Sequence, residues 1–237
     1  MKQIINLLIL LSVFSLTLSG CGSTAKQQAV TNTTQQVQKV VKDTPHQVGQ
    51  KGTMSTSVNG FFFDKSFEKA DIVAEVTIQE WLGEIDSEDI LETTIFRVSL
   101  EKIFKNNVDK NLKEVNLFQT GNSKRTVENS PLFKNGDRLL LYLKKTELEG
   151  YKNTYYILGE QTGIFRIVNT DKQDYVIKQV GDCPQLSDAK VTGNTDRIKN
   201  TLTKSYSVEF SNLDKIGMPE TYNLATVEKL INEQKDK

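Results

Sequence analysis

Five carboxylates crowd the stretch "GEIDSEDILE": Glu84, Asp86, Glu88, Asp89 and Glu92. Two of them facing across a cleft could hydrolyse a glycosidic bond, one as acid and one as base or nucleophile. Several together could also hold calcium, although the spacing lacks the glycine and terminal glutamate of an EF-hand loop. A solvated acidic hairpin is the plainer interpretation. Other chemistry is thinly supplied. The sole histidine, His46, falls in a polar segment without aromatic residues, so a His-based triad has no base on rigid structure. Cys183 in "GDCPQLS" has no histidine in its region to activate it, and the ordinary fate of such a thiol is burial as a small hydrophobe. One thiol cannot build a zinc site, and no phosphate-binding glycine loop or dinucleotide fingerprint occurs. We therefore expect no catalytic residues, no metal and no cofactor. The remaining candidates are binding residues. Trp81, Tyr151 and Tyr155 could stack on a ligand, with Asp86, Glu88 and Asp89 beside them.

These residues must be positioned by β structure. In "DIVAEVTIQEW", Ile72, Ala74, Val76 and Ile78 alternate with Val73, Glu75, Thr77 and Gln79, the period of a half-buried strand. "TTIFRVSLEKIF" repeats the alternation, and "EVNLFQT" follows. "DRLLLYLKK" is nearly continuous in apolar residues, as in a strand buried on both faces. "TYYILG", "GIFRIV" and "YVIKQV" add three more, and "SYSVEF" is a further candidate. The short spacings predict antiparallel pairing rather than alternating β and α. Asp64 in "GFFFDKSFEKADIV" is placed to cap a short helical turn before the first strand. Gly121 to Gly136 is the long exception among the connections, and loops of that length are often functional. Near the end, Leu224, Val227, Leu230 and Ile231 share one stripe behind Asn223, which predicts a capped amphipathic helix.

The N-terminus has a different character. Lys2 precedes the apolar run Ile4 to Leu18, which is short of the roughly 20 residues a membrane span needs. It ends in Leu18-Ser19-Gly20-Cys21. That order resembles the lipobox of bacterial lipoproteins. The resemblance implies cleavage between Gly20 and Cys21 and diacylglyceryl attachment to the Cys21 thiol. Two acyl chains hold a protein stably where one does not. Residues 1–20 are then the signal peptide. Residues 21–58, rich in Gln, Thr, Ser and Lys, are a disordered tether from the lipidated cysteine, and 59–237 is the folded domain. The expected location is extracytoplasmic, on the outer face of the cytoplasmic membrane. Lys and Arg total 30 and Asp and Glu total 30, and removing the signal peptide leaves 29 basic against 30 acidic residues. That balance argues against a nucleic-acid partner.

The order "ADIVAEVTI", "TIFRVSLEKIFK", "VNLFQTG", "PLFKNGDRLLLYL", "YYILGEQTGIFRI" is similar to extracytoplasmic domains of the tissue metalloprotease inhibitor and netrin type. The likeness covers about Phe61 to Val168. It implies a mainly β fold: an antiparallel OB-like barrel, here with a C-terminal helix. Those inhibitors act through a free N-terminal cysteine amine, which a lipidated Cys21 would not offer, so that chemistry transfers to no residue here. The expected function is non-catalytic binding of a protein or cell-envelope glycan by a membrane-anchored domain. The alternatives are protease inhibition through the 121–136 loop and hydrolysis by the carboxylates of 84–92.

Overall fold

A computed structural model describes residues 53–54, 60–87, 90–127, 130–170, 173–193, 195–205 and 219–236. In chain order they form β1 (Thr53–Met54), α1 (Phe63–Lys69), β2 (Ile72–Ser87), β3 (Ile90–Asn106), β4 (Glu114–Thr120), β5 (Thr126–Val127), β6 (Arg138–Lys145), β7 (Thr154–Ile157), β8 (Phe165–Thr170), β9 (Gln173–Lys178), α2 (Asp196–Ser205), β10 (Glu220–Asn223) and α3 (Leu224–Glu233). Short 3-10 turns occupy Glu160–Gly163, Pro184–Ala189 and Gln234–Asp236. Cys21, His46, Glu88 and Asp89 lie outside the described residues, as does "SYSVEF" beyond Ser205. Among the described residues, no helix is long and apolar enough to cross a membrane.

The strand at β6 organises the fold. Its residues Leu139 to Leu143 are all fully buried, and their side chains alternate between two cores. Leu139, Leu141 and Leu143 enter the first core with Ile72, Ala74, Val76 and Ile78 of β2. Leu140 and Tyr142 enter the second, which α1, Cys183, Leu186 and α3 cover. Alternate side chains of a strand point to opposite faces, so a continuous apolar run needs an apolar layer on each side. The same rule places Val73 in the second core while its neighbours in β2 enter the first.

Eight strands pair in the order β10-β9-β8-β6-β2-β3-β4-β7, and β6 also pairs with β7. The pairings β2–β3, β3–β4, β4–β7, β7–β6 and β6–β2 thus return to their start. The expected antiparallel barrel needs correction on two points. First, the sheet is mixed, because β4 and β7 run parallel. The direction follows from the connections: β2 and β4 both oppose β3, β6 opposes β2, and β7 opposes β6, so β7 must run with β4. Second, the sheet as a whole is not a barrel. The first half of β6 pairs with β8, and β9 and β10 continue from there. Short spacing in sequence could not show that one apolar strand would serve two neighbours on the same edge.

The β2–β3 hairpin is long and carries five register irregularities, beginning between Val73 and Ala74. Bulges bend a hairpin and sharpen its twist. Only Ile72 to Thr77 of β2 pairs with β6, and the rest of the hairpin projects past it. At the C-terminus the expected cap is present: the Thr226 N–H donates to Asn223 Oδ1 at 3.0 Å, and Leu224, Val227 and Ile231 are buried. Asp64 is not a cap. It lies in the first turn of α1, whose N-cap is Phe62. Within the segment expected as tether, β1 pairs in parallel with β5.

Candidate functional site

The acidic hairpin and the long loop, which the sequence presents as separate features, meet each other. Glu84 accepts hydrogen bonds from the Ser123 N–H at 2.6 Å and the Ser123 hydroxyl at 3.0 Å. Asp86 pairs with Lys124 at 2.5 Å, and Glu92 takes a forked pair of bonds from Arg125. Hydrogen bonding from Lys124 holds the Asp86 carboxyl below its usual range. The backbone of 122–125 is shaped for this contact by Asn122 Oδ1, which accepts from the N–H groups of Lys124 and Arg125, both at 2.9 Å. Such surface pairs contribute little stability, but they orient Asp86 toward lysine and Glu92 toward arginine.

The long loop is also less of a loop than its composition predicts. Pro131, Leu132 and Phe133 are buried, and Leu132 and Phe133 belong to the first core. Buried Gln119 fixes them with both ends of its amide: its Nε2 donates to Pro131 O at 3.0 Å, and its Oε1 accepts from the Phe133 N–H at 2.9 Å. Arg166, itself buried, donates to Pro131 O at 3.1 Å and to Asp137 at 3.0 Å, with its guanidinium over the Phe133 ring.

Of the aromatic candidates, Tyr155 is wholly buried in the first core and presents no surface, a correction to the expected ligand face. Parallel pairing with β4 on one side and antiparallel pairing with β6 on the other turn its side chain inward. Tyr156, one residue on, is exposed instead. Trp81 is half-buried, edge-on to Phe96 at 5.5 Å. Tyr151 is half-buried, edge-on to Phe118 at 5.1 Å. Cys183 is buried as expected, and burial pushes its thiol up to about 11.

A concave apolar surface lies beside Tyr156. A cleft of about 350 Å³ runs between the start of β3, the end of β4, β7 and the 3-10 turn at Glu160–Gly163. Phe118, Val127, Ile157 and Ile164 form its walls, and Leu91, Leu148 and Tyr156 stand exposed around it. Such a volume falls at the lower end of pockets that hold small ligands or single side chains. Two adjacent polar groups face it, Glu160 and Gln161. They are set by an unusual turn. Gly159 and Glu160 both have positive φ, 79° and 43°. Gly159 can bear no Cβ, which would lie 2.8 Å from the Phe61 Cβ. A non-glycine residue in this region costs on the order of 1–3 kcal/mol and tends to mark functional sites. The Thr120 hydroxyl donates to Glu160 Oε2 at 3.1 Å, while burial raises the Glu160 pKa. Gln161 Oε1 is buried and has no hydrogen-bond partner among the described residues.

A second, polar groove of about 560 Å³ lies between the sheet and α3. In it Glu75 and Glu228 share a hydrogen bond. Burial, then the Glu228 carboxyl, push Glu75 up to about 7. Lys102 pairs with Glu228 at 2.5 Å, and Arg138 reaches Glu75 at 3.5 Å and Asp174 at 2.9 Å. Carboxyl groups in direct contact are far closer than the roughly 5–9.5 Å that glycoside hydrolysis uses. These groups are matched to one another, and their geometry fits a latch between α3 and the sheet. No spacing in the sequence flags Glu75, which alternation assigns to the solvent face, or joins it to Glu228.

No known protein family and no curated protein matches the chain.

Proposed function

We propose that the chain is a lipoprotein, anchored through Cys21 to the outer face of the cytoplasmic membrane, whose domain binds a protein or cell-envelope ligand without catalysing a reaction. The observation that carries the binding part is the apolar cleft. Leu91, Leu148 and Tyr156 are three of the six large hydrophobic residues exposed among those described, and all three line this one concavity. Scattered apolar residues need no explanation, but a cluster around one cleft does.

An OB-like reading of part of the sheet is supported by the circuit β2–β3–β4–β7–β6, a three-strand meander whose last strand runs parallel to the last strand of a following hairpin. Domains of that kind bind through loops and sheet face at one end of the circuit. The cleft, walled by loop and strand ends, agrees with that use. Inhibition through 121–136 draws less support, since much of that segment is packed into the core or paired with the acidic hairpin.

The anchor is tested by labelling cells with radioactive palmitate. Wild type should take up label, and Cys21→Ser should take up none and stay at precursor size. Binding is tested with the double variant Leu91→Asp, Leu148→Asp in the full-length chain. It should fold as wild type and lose chemical cross-links to its envelope partner. Undiminished cross-links in that variant would count against the cleft.

A further inference from the structure

We propose that the cleft receives the lysine side chain of a polypeptide partner, its alkyl stem against Phe118, Ile157 and Ile164 and its ammonium facing Glu160. The inference rests on the reading of the cleft as the binding surface and names what enters it.

Charge complementarity argues for a cation. Glu160 lies in largely apolar surroundings, and among the described lining residues there is no Lys, Arg or His. A single hydroxyl hydrogen bond, from Thr120, is all that its side chain receives among the described residues. Burial disfavours its charged form, and an ammonium beside it would reverse that effect. Gln161 Oε1, although unpartnered, is closed off from the cleft. The cleft therefore offers one under-satisfied carboxylate and, among its described lining residues, no cationic side chain to meet it. An ammonium is a compact charge that fits beside a single carboxylate, whereas a guanidinium is a wide planar fork. The long apolar stem that carries it suits the walls.

A polypeptide source follows from the rim. Leu91, Leu148 and Tyr156 extend the apolar surface beyond the cleft, where the neighbours of an inserted lysine would rest. One anchoring side chain surrounded by contacts that exclude water is the common organisation of a protein interface.

The test is a methyl-NMR titration of the full-length protein, reading Leu91, Leu148, Ile157 and Ile164. Four probes are compared: Nα-acetyl-lysine N-methylamide, its norleucine counterpart, n-butylamine and the capped tripeptide Leu-Lys-Leu. The lysine probe should bind about tenfold or more tightly than norleucine, as expected for a charge-assisted hydrogen bond. Glu160→Gln should bring lysine affinity down to about that of norleucine. Acidification should weaken lysine binding selectively, as Glu160 takes up a proton. The tripeptide should bind more tightly than butylamine. Equal lysine and norleucine affinities, or a preference that survives Glu160→Gln, would overturn the lysine assignment and leave the cleft as a binding surface. Butylamine matching the tripeptide would overturn the polypeptide source. No response to any probe would overturn the cleft itself.

Discussion

Replacing Glu75 by Gln should make the protein more stable at pH 8 and leave it unchanged at pH 5. Burial and the Glu228 carboxyl raise Glu75 to about 7, against 4.5 for an unperturbed side chain. Folding therefore favours the protonated group. The contribution of the pair is complete below about pH 4.5 and declines as pH rises through about 7. Displacing the pKa from 4.5 to about 7 corresponds to about 3 kcal/mol if fully realised. Lys102 and Arg138 offset part of the second negative charge, and Glu75 borders an open groove, so about 1–2 kcal/mol is the expected gain at pH 8. For a domain of this size that is about 3–6 °C in Tm. The glutamine amide can donate to Glu228 at every pH, which keeps the contact while removing its proton dependence. The assay is urea and thermal unfolding of both proteins at pH 5, 6.5 and 8. An equal difference at all three pH values, or a loss at pH 8, would refute the shared proton.

Phe133→Ala should cost about 3–5 kcal/mol in urea unfolding, because Phe133 fills the first core; an exposed loop residue would cost well under 1 kcal/mol. Asn223→Ala should lose about 1 kcal/mol of stability in the same assay through the missing cap of α3. Cys183 should resist a thiol reagent in the native protein at pH 8 and react on unfolding, since it is buried and its thiol is pushed up to about 11.

Much of the strand layout was legible because alternation and apolar runs report burial directly. "EVNLFQT" coincides with β4, and the continuous "LLLYL" is buried on both faces as its composition requires. The helix at the C-terminus was equally plain, since its stripe and its cap are both local signals. Pairing was not legible. Nothing near β6 states that it pairs with β2, β7 and β8 together, and the parallel contact of β4 with β7 depends on the directions of three intermediate pairings. Site residues were hardest to find. Tyr155 and Tyr156 differ only in the face they occupy, and the sequence singled out the one that the pairing buries. Nothing in "YVIKQV" marks Lys178. It is buried, its ammonium donating to the carbonyls of Thr162 and Val180, and burial brings its pKa down to about 8. Glu160 and Gln161 carry no motif. The one local hint was the glycine before them, whose positive φ starts the turn.

The proposed binding function rests on the Leu91–Leu148–Tyr156 cleft as contact surface. Photo-cross-linking in intact cells tests it most directly, with a benzophenone amino acid at position 148 and, as control, at exposed position 229 on α3. A discrete cross-linked species should form from position 148 and disappear when Tyr156→Asp is added, with none from position 229. Cross-links from 229 alone, or a 148 species indifferent to Tyr156→Asp, would contradict it.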